Sequence, residues 1–486
     1  MATASRKLGL VGVGVVNGGM GYRNIGSARR AFWLSSAFVA GFVFTLTGAG
    51  AETLGGALTK AYINNPDINA QRAAVRASDE NIPKANAGYL PTVQGSASAG
   101  FVNTQNLGSA FLNGNQLLAP RSVGVSVQEN LFNGNKTYNS VRSAESTVLG
   151  QREQLRFTEQ QTLLSGLTYY MNVMRDTATL ELNRNNVEVL KEQLRQTKDR
   201  FNVGEVTRTD VAQAESALAQ SQATYLVSQS NLQGSISSYR QVVGDQPRSL
   251  APVTPVAKLL PANLTQAVAI SQAEHPAITA SLHGVDIALL NVKISEAALY
   301  PTVNVVGSLQ QAYDQQGLPF GSKAFIGSVI GSVNIPIYDG GGSFASIRQA
   351  KEQVSQQELS ADSQREKVRA AVVASWFTNS NAAGVVHAAK AQVQAAEVAL
   401  AGVREEAKVG QRTTLDVLNA QQTLLQARVQ LVNAQHDQVV DSYTLLSAIG
   451  RLSVRSLGLS VAEYDPRTHF DLVKTKQFGV RTPDGR

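Results

Sequence analysis

The sequence predicts a mainly α-helical chain with a β part, in which one half-molecule of long antiparallel coiled-coil helices and strands occurs twice. Three observations predict it: an internal duplication, seven-residue apolar spacing over long stretches, and four short stretches of alternating residues. Asn65-Pro66-Asp67-Ile68 opens a helical stretch that ends at Tyr89-Leu90-Pro91-Thr92-Val93, and His275-Pro276-Ala277-Ile278 opens another that ends at Tyr300-Pro301-Thr302-Val303. Val203-Gly204 followed by Thr209-Asp210-Val211 recurs as Val409-Gly410 followed by Leu415-Asp416-Val417. The offset of about 206 to 210 residues is far beyond a solenoid period, so one body is made of two related halves.

The first 51 residues carry Arg6, Lys7, Arg23, Arg29 and Arg30 and no acidic residue, followed by the apolar run Ala31–Phe44 and small residues up to Ala51. A basic start, a short apolar run and a small-residue exit read as an export signal over 1–51. An uncleaved anchor and a start at Met20 in place of Met1 also fit these residues. The segment holds five of the seven net positive charges (7 − 5 = 2), which removes the main support for a nucleic-acid partner. There is no cysteine, so an exported chain has neither a disulfide framework nor a lipidated N-terminal cysteine.

The first repeat is expected over 52–262. Asn65 as cap and Pro66 in the first turn start a helix over 67–88. Val93, Gly95, Ala97, Ala99 and Phe101 alternate with small polar residues, which predicts a strand over 92–103; Val123, Val125 and Val127 predict another over 121–132. Phe132-Asn133-Gly134 then turns the chain into a long helix over 134–201, with Val173, Leu180, Val187, Leu194 and Phe201 in heptad spacing. A return helix over 207–243 carries Val211, Leu218, Tyr225, Leu232 and Tyr239.

The second repeat is expected over 263–450 in the same order. Its strands fall at 302–313 and 323–338, and Tyr338-Asp339-Gly340-Gly341 leads into helices over 342–408 and 413–449. Val386, Val393 and Leu400 mark the seam of the outgoing helix, and Leu418, Leu425, Val432, Val439 and Leu446 that of the return helix. At 1.5 Å per residue each outgoing helix spans roughly 100 Å, matched by a return helix stacked end to end with a shorter one. A polar tail follows over 451–486.

Four strands with one apolar face cannot close a barrel, which needs about eight, and open edges are not tolerated in lipid. The chain must borrow strands from copies of itself. Three copies would supply twelve strands, continuous with twelve helical rods.

The Asn/His-Pro helix starts, the Tyr-Leu-Pro and Tyr-Pro turns before strands, Pro336-Ile337-Tyr338-Asp339-Gly340-Gly341 and the two Val-Gly…Asp-Val turns together resemble the TolC family of outer-membrane channel-tunnel proteins. The resemblance covers nearly the whole chain after the signal. It implies a homotrimer with a twelve-stranded β-barrel in the outer membrane of a Gram-negative bacterium and an α-barrel tunnel crossing the periplasm. It also implies a periplasmic adaptor (membrane fusion protein) and an inner-membrane transporter as partners, in drug efflux or type I secretion, with the 451–486 tail periplasmic.

In that family the tunnel closes at the helix tips. The resemblance places Thr209 and Asp210 on one tip and Arg412 and Asp416 on the other, as inter-tip links and an axial acidic ring. Asn419 stands where a second ring carboxylate is expected, and Ala407, beside Lys408, where a linking tyrosine is expected. Val203, Gly204, Val409 and Gly410, at the turn apices, are the expected adaptor-docking points. The bland alternative is that Asp210 and Asp416 stabilise helix starts and that the glycines end helices.

Nothing positive supports an enzyme or a cofactor. Gly12-Val13-Gly14-Val15-Val16-Asn17 lacks the third glycine of a dinucleotide loop, and no Lys-Ser/Thr follows Gly340-Gly341-Gly342. His275, His283, His387, His436 and His469 lack a metal-ligand spacing; His275 reads as a cap and His436 as a helix residue. Trp376 and Tyr170 occupy equivalent places and are expected to pack between helices. The competing class is a periplasmic coiled-coil adaptor or scaffold without a pore.

Overall fold

The structure is a computed structural model that describes residues 51–106, 114–314 and 321–485, as backbone alone at 104–106 and 114–116. The expected export segment lies outside the described residues except for Ala51.

Helices α1 (Leu54–Asn64) and α2 (Pro66–Asp79) meet at Asn65. Its side-chain oxygen accepts the backbone N–H groups of Asp67 at 2.8 Å and Ile68 at 3.3 Å, which satisfies two donors that a helix start leaves free. The single helix expected over 67–88 is broken: α2 stops at Asp79, α3 runs Asn81–Asn86, and a 3₁₀ turn covers Ala87–Tyr89. Pro83 explains the break, because it has no N–H to bond one turn back. The second repeat has no such proline. Its α6 (Leu264–Glu274) is followed by an unbroken α7 (Pro276–Glu296) and a 3₁₀ turn at Ala297–Leu299. Among the described residues one helical stretch, Leu264–Leu299, is long and apolar enough to cross a membrane; it is interrupted at His275, ahead of Pro276, and packs along helices of both repeats.

The strands are β1 (Thr92–Ala99), β2 (Val102–Asn106), β3 (Gly114–Leu118), β4 (Arg121–Asn133), β5 (Thr302–Tyr313) and β6 (Lys323–Asn334). One antiparallel sheet has the order β1-β4-β5-β6, so a strand of the first half pairs directly with one of the second; β2 and β3 form a separate ribbon. The strand expected to reach 338 ends at Asn334. Pro336 cannot donate to a ladder, and Ile335 and Ile337 beyond the strand are exposed. Val123, Val125, Val127, Leu309, Phe325, Val329 and Val333 share one exposed face, while Ser96, Ser98, Ser122, Ser126, Ser308 and Ser328 lie on the other. Apolar outside and polar inside is the pattern of a barrel wall in lipid.

Each strand pair leads into a rod. The turn into α4 (Lys136–Asn202) uses Gly134 at φ +64°, where a Cβ would sit 2.8 Å from Tyr300. The turn into α8 (Gly342–Lys408) is held by the Asp339 carboxylate, which accepts from the Ser343 N–H at 2.7 Å and the Gly341 N–H at 3.1 Å. The glycines there make a strand-to-helix turn. α5 (Arg208–Val243) packs along α4 and α9 (Thr414–Ala448) along α8.

The main core lies midway along the rods. Tyr62, Leu163, Leu167, Tyr170, Tyr239, Leu445, Leu446 and Leu452 are fully enclosed there, and Trp376 packs against the same cluster. The Tyr170 hydroxyl lies 2.7 Å from both the Glu52 and Ala251 carbonyls, which ties the segments before α1 and after α5 to α4. Away from this belt the rods differ. The α8–α9 seam buries Val386, Ala389, Leu400, Leu424, Ala427 and Ala434. The α4–α5 seam is polar: Asn183 donates to Ser228 at 2.6 Å, Asn186 to Ser221 at 2.9 Å, and Ser235 to Asp176. Of the apolar heptad Tyr239 is enclosed in the core, while Val211, Leu218, Tyr225 and Leu232 are only half-buried, and along that stretch the enclosed line is Ala214, Ser221 and Ser228. Small side chains permit the close approach, so the seam falls three residues from the apolar register.

Beyond α9 the chain packs Leu452, Val454, Leu457, Leu459 and Val461 onto the central belt and adds α10 (Arg467–Val473) against α2. His469 Nδ1 lies 2.9 Å from the wholly buried Asp79 carboxylate, and the Tyr464 N–H donates to the Tyr62 hydroxyl at 3.0 Å.

Candidate functional site: the paired helix tips

The ends of the rods repeat one local design. Val203 and Val409 end α4 and α8, and Gly204 at φ +80° and Gly410 at φ +81° follow in the left-handed region. The Glu205 N–H donates to the Arg200 carbonyl at 2.9 Å, and the Gln411 N–H to the Glu406 carbonyl at 2.9 Å. These bonds close a Schellman turn, which only glycine enters without strain. Each return helix then opens on a capping box. Thr207 and Asp210 exchange bonds, with the Asp210 N–H to the Thr207 hydroxyl at 3.3 Å and the Thr207 N–H to the Asp210 carboxylate at 2.8 Å. Thr413 and Asp416 do the same at 3.2 and 3.0 Å.

The caps fix the protonation states. Hydrogen bonds from the Thr207 hydroxyl and backbone hold Asp210 below the usual carboxylate range, and those from the Thr413 backbone and hydroxyl hold Asp416 below it. Both acids are therefore anions at neutral pH, and each also stabilises its helix start. Arg412 stands at the place that Val206 occupies in the first tip, so this tip cation belongs to the second repeat alone. Its Nε is 2.8 Å from Glu406 Oε2, and that hydrogen bond raises its pKa. Within one chain Arg412 thus pairs with Glu406, while Asp210 bonds to Thr207. Thr209 and Asn419 are exposed, and Ala407 is half-buried beside the Lys408–Glu405 pair at 2.7 Å. Val203 and Val409 present about seven-tenths of their surface at the apices, 71% and 70%.

Thr207, Thr413 and Glu406 are site residues that the family pattern did not single out. The Thr-x-x-Asp spacing was the available signal for the first two. Between the rods lies a groove of about 510 Å³ lined by Asn186, Leu190, Ser221, Leu418, Asn419 and Gln421. Its walls come from α4, α5 and α9, with Gln421 reaching Asn186 at 3.4 Å.

A barrel-type sheet joined to two long rods with matching tips defines a class of channel-tunnel proteins. The profile of the outer membrane efflux protein family matches residues 57–245 and 268–451. The chain is 41% identical over 452 residues to the outer membrane efflux protein BepC of Brucella suis biovar 1 (strain 1330), covering 93% of this chain and 97% of that one. It is 27% identical over 433 residues to the outer membrane protein TolC of Escherichia coli (strain K12), covering 84% of each. The crystal structure of the Campylobacter jejuni CmeC outer membrane channel superposes with a TM-score of 0.74 at 16% identity, covering 87% of this chain and 89% of that one. The chain belongs to the outer membrane efflux protein family and is an outer-membrane channel.

Proposed function

We propose that three copies of this chain close a twelve-stranded barrel and a periplasmic helical tunnel, forming a passive exit duct that an adaptor and an inner-membrane pump open at the tips. The observation that carries this is the β1-β4-β5-β6 sheet, which has an apolar outer face, two unpaired edges and a direct continuation into paired rods. Relatives named for efflux (BepC) and for alkaline protease secretion (AprF, 23% identical over 346 residues) support cargo of either kind.

The gate is the set of tips. On closure Arg412 exchanges Glu406 for Asp210 of a neighbouring tip, and the three Asp416 carboxylates line the mouth and favour cations. Exposed ion pairs are worth roughly 0–1 kcal/mol each, so a three-fold set holds only a few kcal/mol. An adaptor that binds the open tip preferentially supplies that difference. The exposed Val203-Gly204 and Val409-Gly410 apices are its contact points, with the groove beside Asn419 receiving the flank of the adaptor hairpin.

Single-channel recording in planar bilayers tests the gate. Arg412→Ser is expected to raise the conductance of the closed trimer. Unchanged conductance with an intact trimer overturns the latch, and a soluble monomer that leaves the bilayer silent overturns the duct itself.

A further inference from the structure

We propose that the outer face of the sheet carries a site for one phosphorylated acyl glycolipid of the outer leaflet, at a row formed by Arg121, Tyr313 and Lys323. The inference rests on the barrel reading above and names a lipid partner for it.

The three residues stand side by side on adjacent strands, Arg121 opposite Tyr313 and Tyr313 opposite Lys323. The Arg121 guanidinium carbon and the Lys323 ammonium nitrogen each lie 5.8 Å from the Tyr313 ring centroid, so one aromatic ring holds two cations. The nearby acid is Asp314, 3.7 Å from Arg121, and its carboxylate is engaged by the Gly321 N–H at 2.7 Å. Among the described residues Lys323 has no acidic partner within salt-bridge distance. The row therefore keeps a net positive charge. It sits at the end of the strands farthest from the helices, the outer-leaflet end of the barrel. Near the helical end the same face carries Glu129 opposite Val305, so the charge along it is polarised.

Below the row the face is apolar except for Gln311, which stands between Val123 and Phe325. Phe325 lies next to Lys323 along its face, and then the wall dips. Gly307 and Gly327 leave a hollow of about 430 Å³ bordered by Val125, Val127, Leu309 and Val329. A Cβ at Gly307 would meet nothing within 4 Å, so the hollow is open surface and not a tight turn. The hollow begins four to six residues along the strand from Tyr313, ~13–20 Å away, which an acyl chain spans. Paired cations suit a phosphate, the Tyr313 ring suits the headgroup boundary, and the hollow suits a chain. A glycolipid with phosphates and several chains satisfies all three.

Native mass spectrometry of the purified mature trimer tests this with three probes: bisphosphorylated lipid A, the same glycolipid without phosphates, and phosphatidylglycerol. The wild type is expected to retain the phosphorylated glycolipid and to discriminate against both others. Each cation removed near the surface is expected to weaken retention about fivefold, so the Arg121→Gln, Lys323→Gln double variant loses about 25-fold. Gly307→Val, whose Cβ meets nothing within 4 Å and whose methyls project into the hollow, is expected to weaken retention with both cations in place. Conductance should be unchanged in all variants, which separates loss of the lipid from loss of the duct. Equal retention by the double variant, or equal binding of the unphosphorylated glycolipid, overturns the site. Equal binding of phosphatidylglycerol overturns the choice of lipid.

Discussion

Glu159 offers the sharpest test of how the central belt is held. It lies on α4 with its side chain 18% exposed, 3.9 Å from the Arg72 guanidinium, which itself stacks 4.4 Å from the Tyr62 ring centroid and 5.2 Å from that of Tyr464. Burial pushes its pKa from 4.5 up to about 7, against the opposing pull of Arg72, the Tyr62 hydroxyl and Arg156, with Glu463 adding a smaller push upward. The folded state therefore prefers the neutral acid. Its contribution to stability is full below pH 4.5 and is lost as pH rises through about 7. At ~1.4 kcal/mol per pKa step the loss amounts to about 3 kcal/mol per chain. Glu159→Gln keeps the shape and removes the titration. Urea unfolding of the detergent-solubilised protein, followed by far-ultraviolet circular dichroism from pH 4.5 to 8, should show the variant gaining about 3 kcal/mol on the wild type across that window. The comparison concerns the change in the difference, so a constant offset from the altered Arg72 contact does not enter. Parallel pH profiles refute the reasoning. A variant that loses ground as pH rises would mean that the Glu159–Arg72 pair is ionised and favourable.

Two other perturbations follow from neighbouring geometry. His275 caps α7 by accepting the Ala277 N–H at 3.2 Å, and burial lowers its pKa from 6.5 to about 4; its stabilising contribution is present above pH 6.5 and is lost as pH falls toward 4. His275→Asn, which installs the cap found at Asn65, should keep neutral-pH stability and lessen acid sensitivity by about 3 kcal/mol in the same unfolding assay. Gly450 and Gly410 have similar backbones, φ +84° and +81°, but a Cβ on Gly450 would sit 2.8 Å from His275 Cα while one on Gly410 meets nothing. Gly410→Ala should cost about 1–2 kcal/mol, and Gly450→Ala about 1–3 kcal/mol beyond that, read from denaturant midpoints; equal costs would place the strain in the backbone alone.

Periodicity makes the long helices and the four strands of the main sheet legible because each repeats one spacing over many residues, but not the short β2–β3 ribbon between β1 and β4. The same spacing misled where small residues carry the contact. Val211, Leu218, Tyr225 and Leu232 are the apolar choice, yet Ser221 and Ser228 are what the α4 asparagines reach for. The short helices α1 and α6, 11 residues each, give too few turns for a periodic signal, and α10 is shorter still. At the tips the acids are visible and the Thr-x-x-Asp spacing points to Thr207 and Thr413 as their partners, whereas no spacing marks Glu406 as the partner of Arg412. Asp210 and Asp416 fill the helix-start role, and a cap leaves their negative charge in place for any role at the mouth. Buried pairs such as Asp79 with His469 join residues 390 apart in sequence, a distance over which no local pattern speaks.

The strand polarity of the sheet has a consequence for copy number. β1 runs away from the helices and β6 runs back toward them. Laid beside another chain, the last strand of one meets the first of the next head to tail, the same sense as every pairing inside the chain. The joint between subunits is then an ordinary rung of the ladder, and no odd or mismatched pairing arises however many subunits join. Hydrogen-bond direction alone therefore cannot count to three. In the proposed ring the copy number is then left to the packing of neighbouring rods, and substitutions on the exposed flanks of α4, α5, α8 and α9 are expected to be the ones that change it.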